Sequence, residues 1–283
     1  MPVDVEEITA RLSLRFGPEV AGWAAAVPDR VADLARRWDL APAGGPLSQG
    51  ASSVVARFPA GGVLVVLKLS PDEPFLAGQA AVLRLFGPSG RVPAVLAEEA
   101  GAVLMAAVRP GTEVADLPEP PTAPEWADLV GPLHAVAPPP GALDLADRCA
   151  EFFTRIGRRV TASTPVTPGM WERARGRCGA LLAGGPRVLL HGDLHTGNAL
   201  VGPRGLVAID PRPCVGDPCF DVVDLALDAA GRGGVADRSA RLAGACGLDP
   251  DRLLGWCRTL APVIALSRLD DRPALDELRT LAA

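Results

Sequence analysis

The run His191-Gly192-Asp193-Leu194-His195-Thr196-Gly197-Asn198, followed by Ile209-Asp210-Pro211, constrains this chain more than any other stretch of it. Apolar segments bracket the run, so it reads as a loop between two strands, with Asp210 at the end of the second. Asn198 lies five residues after Asp193, and Asp210 twelve residues after Asn198. A carboxylate, an amide and a second carboxylate are thereby carried at fixed spacing on one strand–loop–strand unit.

Composition narrows what such a unit can serve. The chain has 283 residues, 48% of them hydrophobic and 22% charged, which is globular and long enough for two lobes. No apolar run reaches the ~18 residues of a membrane span. The acidic start, Met1-Pro2-Val3-Asp4-Val5-Glu6-Glu7, lacks the basic-then-apolar order of a secretory signal, so a cytoplasmic location is expected. A net charge of −5 without a basic stripe argues against nucleic acid as a partner and suits a cationic small molecule better. The six cysteines form no C-x-x-C pair and read as small buried hydrophobes.

The layout is strand-rich first and helical later. Val31, Leu34, Ala35 and Trp38 recur with helical spacing, predicting a helix that begins just after Pro28 and stops at Gly44-Gly45-Pro46. Gln49-Gly50-Ala51-Ser52-Ser53 is a small-residue turn ahead of two strand-like runs, Val54 to Phe58 and Val63 to Leu69, joined at Gly61-Gly62. A helix is expected from Gln79 to Phe86, with Val82, Leu83 and Phe86 inward, and a strand from Val103 to Val108. The proline-rich stretch from Pro110 to Pro124 is the candidate hinge, dividing residues 1–109 from 110–283. Helices are expected around Trp126–Val136, Leu145–Arg159 and Pro168–Leu182, and again toward the C-terminus. The whole is an α+β arrangement.

The loop keeps every fixed position of the phosphoryl-transfer pattern H-R-D-L-x-x-x-N except the arginine, which is Gly192. Phosphoryl transfer asks a protein for positioning and charge compensation. Asp193 is placed to accept the proton of an attacking hydroxyl, while Asn198 and Asp210 are oxygen ligands of the kind Mg²⁺ prefers. Singly, each would read as a turn residue; the set at this spacing does not. A rival reading is a metal-dependent hydrolase, because His191, Asp193 and His195 alternate in an extended segment. It leaves Asn198 and Asp210 unexplained, and the remaining histidine is His134. His191 itself reads as a buried ring bonding the loop backbone.

Lys68 is the only lysine and ends an apolar strand ahead of a helix, where it would touch α- and β-phosphates. Ser52 and Ser53 offer hydroxyls and backbone N–H groups to phosphates, although a plain hairpin turn accounts for them nearly as well. Asp217, Asp221, Asp224 and Asp228 recur at steps of four, three and four, predicting one acidic face on a helix that Asp217 and Pro218 begin. Asp221 is expected to bond the catalytic-loop backbone. Asp224 or Asp228 would meet a cationic substrate or an arginine.

These segments resemble the aminoglycoside phosphotransferases, in the branch of streptomycin 6-phosphotransferases and hydroxyurea kinases. The likeness rests on the loop itself, on Ala208-Ile209-Asp210-Pro211, and on Gly216-Asp217-Pro218-Cys219-Phe220-Asp221. Trp23 through Leu40, Val66-Leu67-Lys68-Leu69-Ser70-Pro71, Val82-Leu83-Arg84-Leu85-Phe86 and Arg109-Pro110-Gly111-Thr112 extend it over most of the chain. The resemblance implies a two-lobed protein-kinase-like fold with ATP between the lobes, adenine bonding backbone near Ala106 to Val108, and Mg²⁺ as the cation. It implies an antibiotic-resistance or self-protection enzyme, monomeric or weakly homo-oligomeric, whose acceptor is streptomycin or a related aminocyclitol. Hydroxyurea or an unrelated metabolite is the alternative acceptor. One departure stands out: Gln79 occupies the place of the glutamate that pairs with the strand lysine, unless Glu73 or Glu98 substitutes. A ligand-binding pseudokinase without turnover is therefore the second alternative.

Overall fold

The computed structural model describes residues 4–41, 48–50, 52–161, 164–228, 233–266 and 272–282. The expected stop at Gly44-Gly45-Pro46 and Ala51 of the small-residue turn lie outside them. The chain divides into two compact units: Met1–Pro88 with Val92–Gly111, and Ser89–Arg91 with Thr112–Ala283.

The first unit opens with α1 (Val5–Phe16) and α2 (Ala21–Arg37), followed by β1 (Ser48–Gly50), β2 (Ser53–Ala60) and β3 (Val63–Leu69). It continues with α3 (Glu73–Phe86), β4 (Val95–Glu99) and β5 (Ala102–Ala106). The strands form one antiparallel sheet in the order β1-β2-β3-β5-β4. Gly61 (φ 54°) and Gly62 (φ 83°) turn the β2–β3 hairpin. A two-residue turn matching the strand twist needs positive φ at both positions, which glycine adopts without strain.

Alternation then assigns faces. Val54, Ala56 and Phe58 of β2 and Val65, Leu67 and Leu69 of β3 pack with Ile8, Leu12, Val27, Val31 and Leu34 of α1 and α2 in one core. Lys68, between Leu67 and Leu69, belongs to the other face, where α3 lies. The helix predicted to start after Pro28 instead begins at Ala21 and runs through that proline. Ala24 and Val27 extend the buried stripe of Val31 and Leu34, and this burial offsets the missing backbone bond. Similarly, α3 starts six residues before Gln79, capped by Asp72, whose side chain accepts from Phe75 N. Leu83 and Phe86 face inward as expected; Val82 is only half-buried.

The second unit holds α4 (Ala123–His134), α5 (Leu145–Gly157), α6 (Pro168–Leu182) and α7 (Val223–Leu227). It ends with α8 (Val235–Cys246), α9 (Pro250–Ala265) and α10 (Arg272–Ala282). Two small antiparallel pairs are set among them: β6 (Val188–Leu190) with β9 (Cys214–Gly216), and β7 (Ala199–Gly202) with β8 (Gly205–Ala208). The loop singled out above connects β6 to β7, and Asp210 follows β8.

The single acidic helix expected from Asp217 to Asp228 does not form. Pro218–Val222 is a 3₁₀ turn, α7 has five residues, and Asp228 lies beyond it. Asp217 caps this turn by accepting from Cys219 N, and Asp221 is pulled beneath the β6–β7 loop. Like charges are therefore not stacked on one face, which burial would have made costly.

Candidate active site

The β6–β7 loop is held from below by one carboxylate. Asp221 Oδ2 accepts from His191 N at 2.8 Å, and Oδ1 from Gly192 N at 2.7 Å. His134, at the end of α4, donates Nε2–H to the same Oδ2 at 3.0 Å. Complete burial would raise the Asp221 carboxyl, but His134, His191 and the Gly192 N–H outweigh it and hold the group below its ordinary value. His191 is also fully buried; its Nε2–H donates to Ile209 O at 3.0 Å, and burial keeps the ring neutral by lowering its pKa.

Further bonds tie together the segments that carry the three signature positions. Asn198 Nδ2 donates to Asp193 O at 2.9 Å and reaches Asp193 Oδ2 at 3.5 Å, which leaves the amide oxygen as the end not used in these bonds. Ile209 N donates to Asn198 O at 2.9 Å, and Arg212 N donates to His191 O at 2.8 Å. Asp210 sits between those two anchored residues with a left-handed φ of 58°, which aspartate tolerates better than most residues. Asp193 is half-exposed and pairs with Arg212, Oδ2 to Nε at 3.2 Å. The donor set of Asn198 and Asp210 is all oxygen, which fits a hard divalent cation.

The hydrolase alternative loses its ligands in this geometry. His191 and His134 are committed to Ile209 and Asp221, and His195 Nδ1 accepts from Gly197 N at 3.1 Å to cap the next turn. Among the described residues no three His, Cys, Asp or Glu side chains are grouped to hold a metal. The cysteines are free, and all but Cys246 are buried.

In the first unit, Lys68 and Gln79 meet: Nζ to Oε1 is 3.0 Å, with both residues 4% exposed. Glu98 pairs with Arg84 across the α3–β4 packing, and Glu73 is exposed in the first turn of α3. Ser53 closes the β1–β2 pairing opposite Gly50, and its carbonyl accepts from Arg11 at 3.1 Å. The Ser52 carbonyl takes the Ser70 hydroxyl at 2.9 Å. Ala106 N donates to Ala94 O at 2.9 Å and Ala107 N to Leu64 O at 3.1 Å.

A cavity of about 580 Å³ lies in the second unit, lined among others by Glu119, Thr122, Trp126, Thr196, Asp228 and Arg241. Thr196 belongs to the β6–β7 loop, so the cavity adjoins that loop. Asp228 lines it and Asp224 does not. Sequence reasoning missed His134, Arg148 and Arg212, along with the anchorage of Asp217 by Arg252 and Trp256 Nε1. Only Arg212 lay near enough to the motif to have been noticed.

The comparisons with known proteins bear on this site. Residues 37–271 match the family model described as aminoglycoside/hydroxyurea antibiotic resistance kinase. The chain belongs to that family. It is 32% identical to a streptomycin 6-kinase of Streptomyces griseus over 263 residues, 88% of this chain and 84% of that one. It is 29% identical to a hydroxyurea phosphotransferase of Kitasatospora aureofaciens over 279 residues, 93% of this chain and 78% of the other. The fold matches an aminoglycoside phosphotransferase APH(4)-Ia variant solved with ADP and hygromycin B. That match has a TM-score of 0.61 and 17% identity, and covers 89% of this chain and 95% of that one. This family member is thus a phosphotransferase with an alcohol group as acceptor, built on the protein-kinase-like fold. No described helix is long and apolar enough to cross a membrane.

Proposed function

We propose that this kinase transfers the γ-phosphoryl group of ATP to a hydroxyl of streptomycin or a related aminocyclitol, with Mg²⁺. The observation that carries the reading is the bonded frame joining Asp193, Asn198 and the Ile209–Arg212 segment. The bonds from Asn198 to Asp193 and from Ile209 to Asn198, with the Arg212–Asp193 pair, support grouping a proton acceptor, an amide oxygen and a second carboxylate there. Asp193 takes the proton of the acceptor hydroxyl as its oxygen bonds to the γ-phosphorus. The bond to the β,γ-bridging oxygen breaks, and its electron pair leaves with ADP. Asn198 and Asp210 would hold Mg²⁺, which supplies charge compensation to the phosphates when bound. Lys68 is assigned to the α- and β-phosphates, Ser52 and Ser53 to the phosphate-covering turn, and Ala106 and Val108 to adenine.

The cavity beside Thr196 favours an aminocyclitol over hydroxyurea. Its 580 Å³ falls within the ~300–1,000 Å³ of sites that enclose drug-sized ligands, and it is lined by the carboxylates of Asp228 and Glu119 together with Arg238 and Arg241. Asp224, which does not line it, is assigned no part in acceptor contact. One observation favours a second reading, a ligand-binding pseudokinase: an amide, Gln79, accepts from buried Lys68 at 3.0 Å. An ATP-consumption screen over streptomycin, other aminoglycosides, hydroxyurea and common hydroxylated metabolites separates these readings. Turnover with an aminocyclitol is expected. Turnover with hydroxyurea alone, or none with any acceptor, overturns the proposal.

A further inference from the structure

We infer that Arg148, on α5, is a positioning residue: its guanidinium clamps the loop carrying Asp193 to the segment carrying Asp210. One arm, Nη2, donates to Gly192 O, and the other, Nη1, donates to Arg212 O. The first carbonyl immediately precedes Asp193, and the second lies two residues beyond Asp210. The guanidinium also stands 5.9 Å from the centre of the Phe220 ring, next to Asp221. Arg212 completes the circuit, because its own Nε pairs with Asp193 Oδ2 at 3.2 Å.

Gly192 shows what this arrangement requires. Its φ is 79°, and a Cβ there would run into the Arg212 carbonyl and come within 3.0 Å of Arg148 Nη1. The arginine that the phosphoryl-transfer pattern places at this position would not fit. A guanidinium arrives instead from another element, and glycine leaves the space for it. The platform is firm. α5 buries Leu145, Cys149, Phe152 and Phe153, and its N-terminus is capped by Asp144, whose side chain accepts from Ala146 N at 2.8 Å. A planar guanidinium spans two carbonyls in a fixed fork, whereas an ammonium presents three donors from a single nitrogen on a flexible stem and sets no such geometry. The clamp therefore depends on shape as well as on charge.

The test is amide hydrogen exchange on the full chain without ligand, comparing wild type, Arg148→Ala and Arg148→Lys. Exchange in residues 191–198 and 209–213 should quicken by about tenfold or more in both variants, with α6 and α9 within about twofold of wild type. Unchanged exchange in the lysine variant removes the two-carbonyl clamp, and quickening spread evenly over the helices makes Arg148 an ordinary stabilising residue. Either result overturns the inference, and if Arg148→Ala fails to fold, Arg148→Lys decides. A second arm rests on the kinase reading above: kcat should fall about 10- to 100-fold, with KM for ATP and acceptor nearly unchanged. Normal kcat beside loosened loops also overturns the positioning role. Absence of turnover in the wild type counts against the kinase reading instead, and the exchange result still decides the clamp.

Discussion

Asp221→Asn tests the frame with the least change of shape. The carboxylate presents two acceptor atoms to three donors: His191 N–H at 2.8 Å and His134 Nε2–H at 3.0 Å on Oδ2, and Gly192 N–H at 2.7 Å on Oδ1. Asparagine offers one oxygen and one NH₂, so some donor must face another donor. The less damaging orientation keeps the oxygen on His191 and His134 and turns the NH₂ toward Gly192. A charge-assisted bond worth about 1.5–3 kcal/mol is then lost, and a buried donor left unsatisfied costs about 1–3 kcal/mol more. The expected sum is about 2.5–6 kcal/mol. At about 2–4 °C per kcal/mol for a cooperative unit of this size, the midpoint should fall by at least about 5 °C. Calorimetry or circular dichroism on the ligand-free protein measures it, with Asp147→Asn on the exposed side of α5 as the control. A fall of less than about 2 °C would refute the view that the buried carboxylate carries the loop.

Four further outcomes are expected. Asp193→Ala should lower turnover by about 10²–10⁴ while the melting curve is kept, and near-normal rates would remove Asp193 as the base. Asp210→Asn should raise the Mg²⁺ concentration needed for half-maximal rate; an unaltered requirement would exclude it as a ligand. Gln79→Glu places a charge 3.0 Å from Lys68 in a buried site, where opposite charges gain more than at a surface but pay desolvation. Turnover or nucleotide affinity should rise, and no change would mean the amide already serves. Burial lowers the His191 pKa, so between its unfolded value near pH 6.5 and its lower folded value the unfolded chain binds the extra proton. Stability should therefore fall as pH drops below about 6.5, and a midpoint flat from pH 7.5 to 5 would argue against a buried neutral ring.

What could be read from the sequence follows from distance along the chain. Asp193, Asn198 and Asp210 fall within 17 residues of one another along the chain, and local patterns elsewhere were enough to bound β3 and α6. Local patterns failed where tertiary burial decided. Pro28 reads as a helix start, yet the stripe through Ala24, Val27 and Val31 continues across it. β4 went unseen because Glu98 and Glu99 interrupt its apolar alternation, each held by an arginine, Arg84 and Arg37. The supports of the loop come from far away. His134 is 87 residues from Asp221, and Arg148 is 44 from Gly192. Among so many arginines nothing marks Arg148 in advance.

The structure also distinguishes among the aspartates that the spacing could only group. Asp217 is buried and surrounded by donors: Cys219 N at 3.0 Å, Trp256 Nε1 at 2.5 Å and the Arg252 guanidinium. Asp221 is likewise buried under three donors. Carboxylates so buried and so fully bonded are closed to an approaching hydroxyl. Asp193 differs on both counts. Its side chain is 36% exposed and pairs with Arg212 at the edge of the frame, so a hydroxyl can approach while the pairing orients the carboxylate. In the reading proposed above, the two buried acids hold backbone in place, and Asp193, left partly in solvent beside Arg212 and the Asn198 amide, is the one of the three open to a hydroxyl.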